Sequence, residues 1–216
     1  MTASMLRRRA TVTGTTLLGA GLLGKALRAQ PGTAEFYALT SATAATWTIG
    51  AILTNPSPWT PPRASRAVRA TATGAAAFAV FYGAARIARR IPVLEHAIHD
   101  VLRYARHSPS RRTLLVALLS GAAEEVFFRG PVYDMSSHHP VATSTAVYCL
   151  ATTPTRNPAL LLAAAVMGTV FALQRRATDT VWAPLLTHLT WSTLMIRYLP
   201  DLFATDHHEP PQPTSL

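Results

Sequence analysis

The hydrophobic positions of this 216-residue chain fall into seven blocks, separated by short joints that carry arginine and proline. The blocks cover residues 12–27, 36–53, 70–88, 113–134, 141–153, 158–173 and 181–199. Most are close to the ~20 helical residues that are needed to cross a ~30 Å hydrocarbon core. The pattern therefore predicts an all-α fold, a polytopic transmembrane bundle of about six or seven helices.

A further helix is predicted in the basic connector at residues 86–112. Its middle places a run of apolar side chains on one broad helical face: Val93, Leu94, Ala97, Ile98, Val101, Leu102 and Tyr104. This pattern is typical of an amphipathic helix that lies in the membrane interface. The chain thus divides into N-terminal helices with the connector (1–112), a helical core (113–199) and a tail (200–216) that is predicted to be disordered.

Composition supports the membrane interpretation and excludes several other classes. Hydrophobic residues make up 49% and charged residues only 14%, whereas a soluble domain has about a quarter charged. The net charge is +10, but the basic residues are dispersed between apolar blocks, which favours anionic lipid over nucleic acid as the partner. The single cysteine, Cys149, excludes an internal disulfide and a cysteine-based metal cluster.

The topology of the first half stays open. Arg7, Arg8 and Arg9 before an apolar run resemble a secretory or twin-arginine signal, but we favour a retained first helix because further spans follow at once. Arginine-rich segments prefer the cytoplasmic side. Residues 7–9 and 86–112 are three blocks apart, so either one of those blocks does not cross fully or the rule is broken. We predict a multi-pass protein of the cell membrane.

The chemically distinctive residues lie in the fourth block, where two glutamates follow eleven uncharged residues. A charge at that depth costs roughly 2.5–3.5 kcal/mol, so it indicates a function. Glu125 and Arg129 are spaced i,i+4 with the acid first, the favourable order for an ion pair. Glu124 points about 100° away and has phenylalanines at i+3 and i+4. We predict that Arg129 holds Glu125 and that Glu124 is a general base. The alternative is a salt-bridge cluster without chemistry.

His188, inside the seventh block, is the second candidate. A neutral imidazole at that depth can orient a water molecule or bind a metal ion. Polar groups in the middle of membrane spans should face each other or a wet cavity. We therefore predict that Glu124 and His188 converge across the bundle.

These residues carry a resemblance to a known family. The Glu-Glu-x-x-x-Arg run at residues 124–129, with Gly130 following, resembles the first motif of the CPBP intramembrane proteases, which include CAAX prenyl endopeptidases and bacteriocin-processing proteins. His188 and Ser192 are similar to the third motif, His-x-x-x-Asn, with serine in place of asparagine. The similarity covers about residues 113–199. It implies a catalytic core in which Glu124 activates water while Glu125 and Arg129 support it.

The second motif of that family, Phe-x-x-x-His, is altered here. Phe171 is present, but Arg175 stands in the histidine position, with Gln174 before it. The resemblance implies that two histidines hold the water, with a divalent metal such as zinc as a conceivable cofactor, so His188 with Glu124 is the remaining ligand pair. Arginine cannot ligate a cation. We predict that Arg175 stabilises an oxyanion instead; the alternative is an arginine that marks the membrane boundary.

The predicted function is hydrolysis of peptide bonds in a membrane protein or peptide, in or beside the bilayer. One alternative is a relative that binds such a peptide without cutting it, which Arg175 favours. A second is a proton-coupled transporter with Glu124 as the proton carrier, but the chain lacks two related halves with broken helices. A secreted peptide, a membrane regulator or a prenylated CAAX protein are the substrate classes that the resemblance implies.

Overall fold

The computed structural model describes residues 3–54, 63–107 and 111–203, and this part of the chain contains eight α-helices and no β-strand. The helices are α1 (Ala3–Ala26), α2 (Ala34–Leu53), α3 (Ala64–Ala88), α4 (Pro92–His107), α5 (Arg111–Phe127), α6 (Pro140–Thr152), α7 (Pro158–Thr178) and α8 (Trp182–Leu202). The all-α prediction is confirmed. The tail predicted at residues 200–216 lies outside the described residues except for its first four, of which residues 200–202 belong to α8.

Capping residues set the beginnings of two helices. The hydroxyl oxygen of Thr33 accepts a hydrogen bond from the backbone N–H three residues later, at 3.2 Å, and α2 begins there. Asn157 does the same for α7 at 3.0 Å, and Pro158 occupies the first helical position, where its missing N–H is not needed. α7 therefore begins where the sequence pattern predicted.

The fourth predicted block is not one continuous helix. α5 stops, and a π-helical turn, Phe128–Val132, follows (the π-turn below). Gly130 has φ −92° and ψ −111°, and Pro131 has no N–H to donate, so the α-helical hydrogen-bond ladder cannot continue. Ser144 of α6 donates to the Phe128 carbonyl at 2.8 Å. A neighbouring helix thus stabilises the break, which changes the course of the backbone at residues 128–132.

α5 is the central helix of the bundle. It packs against α2 on one side and α8 on the other, while α1 packs against α2, α3 against α8 and α6 against α7. Trp47, Phe127 and Phe128 are fully buried between α1, α2 and α5. The Trp47 ring centre lies 5.2 Å from that of Phe127 and 5.0 Å from that of Phe128. The two phenylalanines that follow the glutamates therefore anchor α5 in the core.

α4 is the amphipathic helix that was predicted in the connector, and it lies across one end of the bundle. Its Tyr104 hydroxyl donates to the Ala29 carbonyl just beyond α1, at 2.9 Å. Its Ala97 carbonyl accepts from the Asn157 side chain at the start of α7, at 2.7 Å. Leu102 packs against the C-terminal end of α8. Arg7–Arg9, at the start of α1, therefore lie at the opposite end of that helix from the connector.

Fewer helices are long and apolar enough to cross a membrane than the sequence pattern predicted. Two helices in the described ranges, α2 and α7, are long and apolar enough to cross a membrane. α5 has 17 residues and α6 has 13, which at 1.5 Å per residue reach only about 26 Å and 20 Å. The prediction of six or seven spans is therefore not confirmed.

Candidate active site

Glu125 and Arg129 form a buried ion pair where α5 meets the π-turn. Neither side chain has exposed surface, and Arg129 Nε lies 3.3 Å from Glu125 Oε2. Arg129 Nη2 also donates to the Gly168 carbonyl at 3.0 Å, which ties the pair to α7. The guanidinium carbon lies 5.1 Å from the ring centre of Phe171. The predicted i,i+4 pair is confirmed, and because both side chains are fully buried, removing one of them would leave the other charge without this partner.

His188 of α8 reaches the glutamates from across the bundle, but it binds the second one. Its Nδ1 lies 2.9 Å from Glu125 Oε1. The imidazole stacks on Phe171, with ring centres 4.8 Å apart and planes 18° apart. Nε2 faces the backbone at Gly121, where an added Cβ would lie 3.2 Å away. A neutral His188 that donates from Nδ1 to the carboxylate keeps a lone pair on Nε2.

Glu124 has a different environment from its neighbour. Its side chain is partly exposed, and its Oε2 accepts a hydrogen bond from the Tyr148 hydroxyl of α6 at 2.7 Å. His188 and Arg129 both lie within electrostatic reach of its carboxylate. His188 binds Glu125, the residue next to Glu124, so the structure brings His188 to the glutamate pair, and its convergence with Glu124 itself stays a prediction. The two glutamates have different partners: Glu124 binds Tyr148, whereas Glu125 binds Arg129 and His188.

Tyr148 is the site residue that sequence reasoning missed. It lies in the fifth apolar block, outside the three family motifs. A phenol hydroxyl in an apolar segment needs a hydrogen-bond partner, and this requirement was the available signal. The signal did not say which of the polar groups on other helices would be that partner.

Arg175 turns towards the π-turn and acidic residues. Its Nε donates to the Arg129 carbonyl at 3.0 Å, and its two Nη atoms face Asp179 and Asp134, the latter at 3.4 Å. The guanidinium carbon lies 5.1 Å from the ring centre of Tyr133. The side chain is 5% exposed. This geometry favours a structural link between α7 and the π-turn over the oxyanion role that was predicted, and also over a simple boundary marker.

Gln174, the other residue near the missing histidine, faces α8. Its Nε2 donates to the Thr187 hydroxyl at 2.8 Å, and that hydroxyl donates to the Ala70 carbonyl of α3 at 2.8 Å. This chain of hydrogen bonds joins α7, α8 and α3 beside His188. Gln174 thus helps to fix the position of α8 rather than replacing a histidine at Glu124.

A comparison with known protein families finds a match for part of the chain. Residues 107–194 match the family described as type II CAAX prenyl endopeptidase Rce1-like. This segment is similar to an Rce1-like domain. No curated protein and no solved structure matches the chain. The family resemblance read from the Glu-Glu-x-x-x-Arg run is therefore confirmed for this part of the chain.

The Rce1-like domain contains every candidate residue of the site, from the glutamate pair in α5 to His188 in α8. The Rce1-like family is a family of membrane-embedded proteases, and the match supports a peptidase at a membrane. The matched segment begins at residue 107, a few residues before α5. α1 to α3 and all but the last residue of α4 thus precede the domain, and all four helices pack against it.

The metal-ligating side chains that the structure describes in this domain do not form a zinc-type site. Within the described ranges, no three His, Cys, Asp or Glu side chains are grouped so that they could hold a metal ion. Nδ1 of His188 is engaged with Glu125, and Arg175 has no ligating atom. Catalytic zinc usually takes three protein ligands. The predicted pair of His188 and Glu124 therefore does not fit a metal by itself.

Proposed function

We propose that this protein is an intramembrane endopeptidase that hydrolyses a peptide bond of a membrane protein or peptide with water activated by Glu124. The division between the two adjacent glutamates carries the proposal. Glu125 is fully buried and engaged by Arg129 and His188. Glu124 is partly exposed, and only its Oε2 is hydrogen-bonded among the described residues. One carboxylate supports the site, and the other has an oxygen available for water.

The chemistry assigned to Glu124 is general base catalysis followed by general acid catalysis. Oε1 accepts a proton from water while the water oxygen attacks the carbonyl carbon of the peptide bond. The same proton then passes to the amide nitrogen as the carbon–nitrogen bond breaks. His188, held at Nδ1 by Glu125, offers Nε2 as a second group that can orient the water.

The proposal extends to location and substrate. We infer a multi-pass protein of the cell membrane whose substrate is a membrane-bound or membrane-associated polypeptide. Support comes from the two helices that are long and apolar enough to cross a bilayer, and from α4 lying across one end of the bundle. Glu124 and Glu125 lie in the last turn of α5 and His188 lies in the first third of α8, so the scissile bond would have to reach this end of α5.

A second candidate function is supported by Arg175. In the motif that this chain resembles, a histidine stands there, whereas Arg175 is ion-paired with Asp134 and Asp179. If the chemistry needs that histidine, the protein binds a membrane peptide or partner without cutting it. The hydrogen bonds that hold Glu125, Arg129 and His188 would then shape a binding site.

The deciding experiment compares the termini of membrane proteins in cells that produce the wild-type protein or Glu124→Gln. We expect a set of new termini that is present with the wild type and lost in the variant. Glu35→Gln is the matched control, because it makes the same change at an exposed position in the first turn of α2.

Identical termini in all three strains would contradict peptidase activity. A pulldown then tests the second function: capture of the same intact partners by the wild type and by Glu124→Gln would support binding without cleavage. Capture of trimmed partners by the wild type alone would support the peptidase.

A further inference from the structure

Tyr148 makes the single described side-chain hydrogen bond to the proposed base. Its hydroxyl lies 2.7 Å from Glu124 Oε2, and this bond crosses from α6 to α5. A carboxylate has two oxygens that are equivalent in isolation. When a donor binds one of them, the carboxyl group can no longer rotate freely, and the second oxygen points in a defined direction.

The ring of Tyr148 is itself held on three sides. The Arg129 guanidinium carbon lies 4.8 Å from its centre, and the Phe128 ring centre lies 4.9 Å away. On α7, Gly168 leaves room for the ring: a Cβ added there would lie 3.1 Å from Tyr148 Cδ1. The hydroxyl is therefore aimed by residues that belong to the ion pair and the π-turn, not by a mobile side chain.

We propose that Tyr148 is a positioning residue that ties down Oε2 of Glu124 and thereby leaves Oε1 as the oxygen that takes the proton from water. This inference rests on the proposed function of Glu124 and adds a residue outside the family motifs. Four charged or polar groups of the described residues act on Glu124: Glu125 and Arg129 on its own segment, His188 on α8 and Tyr148 on α6.

The test uses Tyr148→Phe, which keeps the ring contacts and removes only the hydroxyl. Tyr198→Phe is the matched control, because Tyr198 lies on α8 with its ring against Phe78 and is 47% exposed. With a substrate identified by its Glu124-dependent terminus, we expect kcat of Tyr148→Phe to fall about 10- to 100-fold, the loss of one charge-assisted hydrogen bond. KM should stay within about twofold, because the hydroxyl acts on the base and not on substrate binding.

A second readout does not depend on cleavage. In purified wild-type protein, the infrared carboxylate band of Glu124 is the band that disappears in Glu124→Gln. We expect this band to shift in Tyr148→Phe and to be unchanged in Tyr198→Phe. An unshifted band in Tyr148→Phe overturns the proposal, whatever the activity.

A shifted band with an unchanged kcat also overturns it, because Tyr148 would then hold Glu124 without serving the reaction. A rise in KM with unchanged kcat would make Tyr148 a substrate-binding residue and would equally overturn it. If the wild type produces no Glu124-dependent termini, the proposed function fails on its own experiment, and the role of Tyr148 in the reaction fails with it. The infrared shift then still decides whether Tyr148 holds Glu124.

Discussion

Removing Arg129 should strongly destabilise the protein. Arg129→Ala leaves Glu125 buried with no exposed surface and without its cationic partner. It also removes the donor to the Gly168 carbonyl at 3.0 Å, the link between the π-turn and α7. Breaking a buried pair by deleting one partner costs about 3–5 kcal/mol, out of about 5–15 kcal/mol for a typical domain. A large part of the total stability is therefore at stake.

The assay is thermal unfolding of detergent-purified protein. One kcal/mol shifts Tm by about 2–4 °C in a chain of 150–250 residues, so Arg129→Ala should lower Tm by about 6–20 °C. Glu124→Gln should leave Tm near the wild-type value, because the side chain is partly exposed and the amide oxygen can still accept from Tyr148. Arg129→Lys should recover only part of the loss, since an ammonium cannot reproduce the guanidinium fork.

The double variant makes the test stricter. If Glu125 and Arg129 interact, Glu125→Gln with Arg129→Ala should cost less than the sum of the two single changes. Equal Tm values for Arg129→Ala and the wild type would refute the reasoning, as would strict additivity in the double variant. In either case the buried pair would contribute nothing specific to the fold.

Two further predictions separate structure from chemistry around the site. Arg175→His should lower Tm by several degrees, the effect of about 1–2 kcal/mol, because an imidazole cannot reach the Arg129 carbonyl, Asp134 and Asp179 together. Added zinc should not increase the activity of this variant. An unchanged Tm would show that the ion pairs of Arg175 do not hold the π-turn in place. Gly121→Ala should reduce cleavage by about 10²-fold by displacing His188 Nε2, which lies 3.2 Å from the added Cβ. Gly83→Ala is its control, because nothing lies within 4 Å of that position, and equal activity of the two variants would place His188 outside the reaction.

Much of this protein was determined by sequence alone, because the deciding physics is local. The apolar blocks predicted the helices, since burying backbone polar groups among apolar side chains requires internal hydrogen bonds. The i,i+4 spacing predicted the pair of Glu125 and Arg129, since residues four apart share a helix face. The amphipathic face at residues 93–104 predicted α4 for the same reason. The Glu-Glu-x-x-x-Arg run alone was enough to indicate the family resemblance.

Other features depended on which helices become neighbours. The sequence placed His188 near the glutamates, but only the packing of α5 against α8 made Glu125 its partner at 2.9 Å. Tyr148 met Glu124 because the π-turn and α6 fold back on α5, a contact between residues 24 positions apart. The sequence predicted a catalytic role for Arg175, but the packing of α7 places its guanidinium next to Asp134. Side-chain partners of this kind are set by long-range packing, whereas periodicity reports only the face that each helix buries.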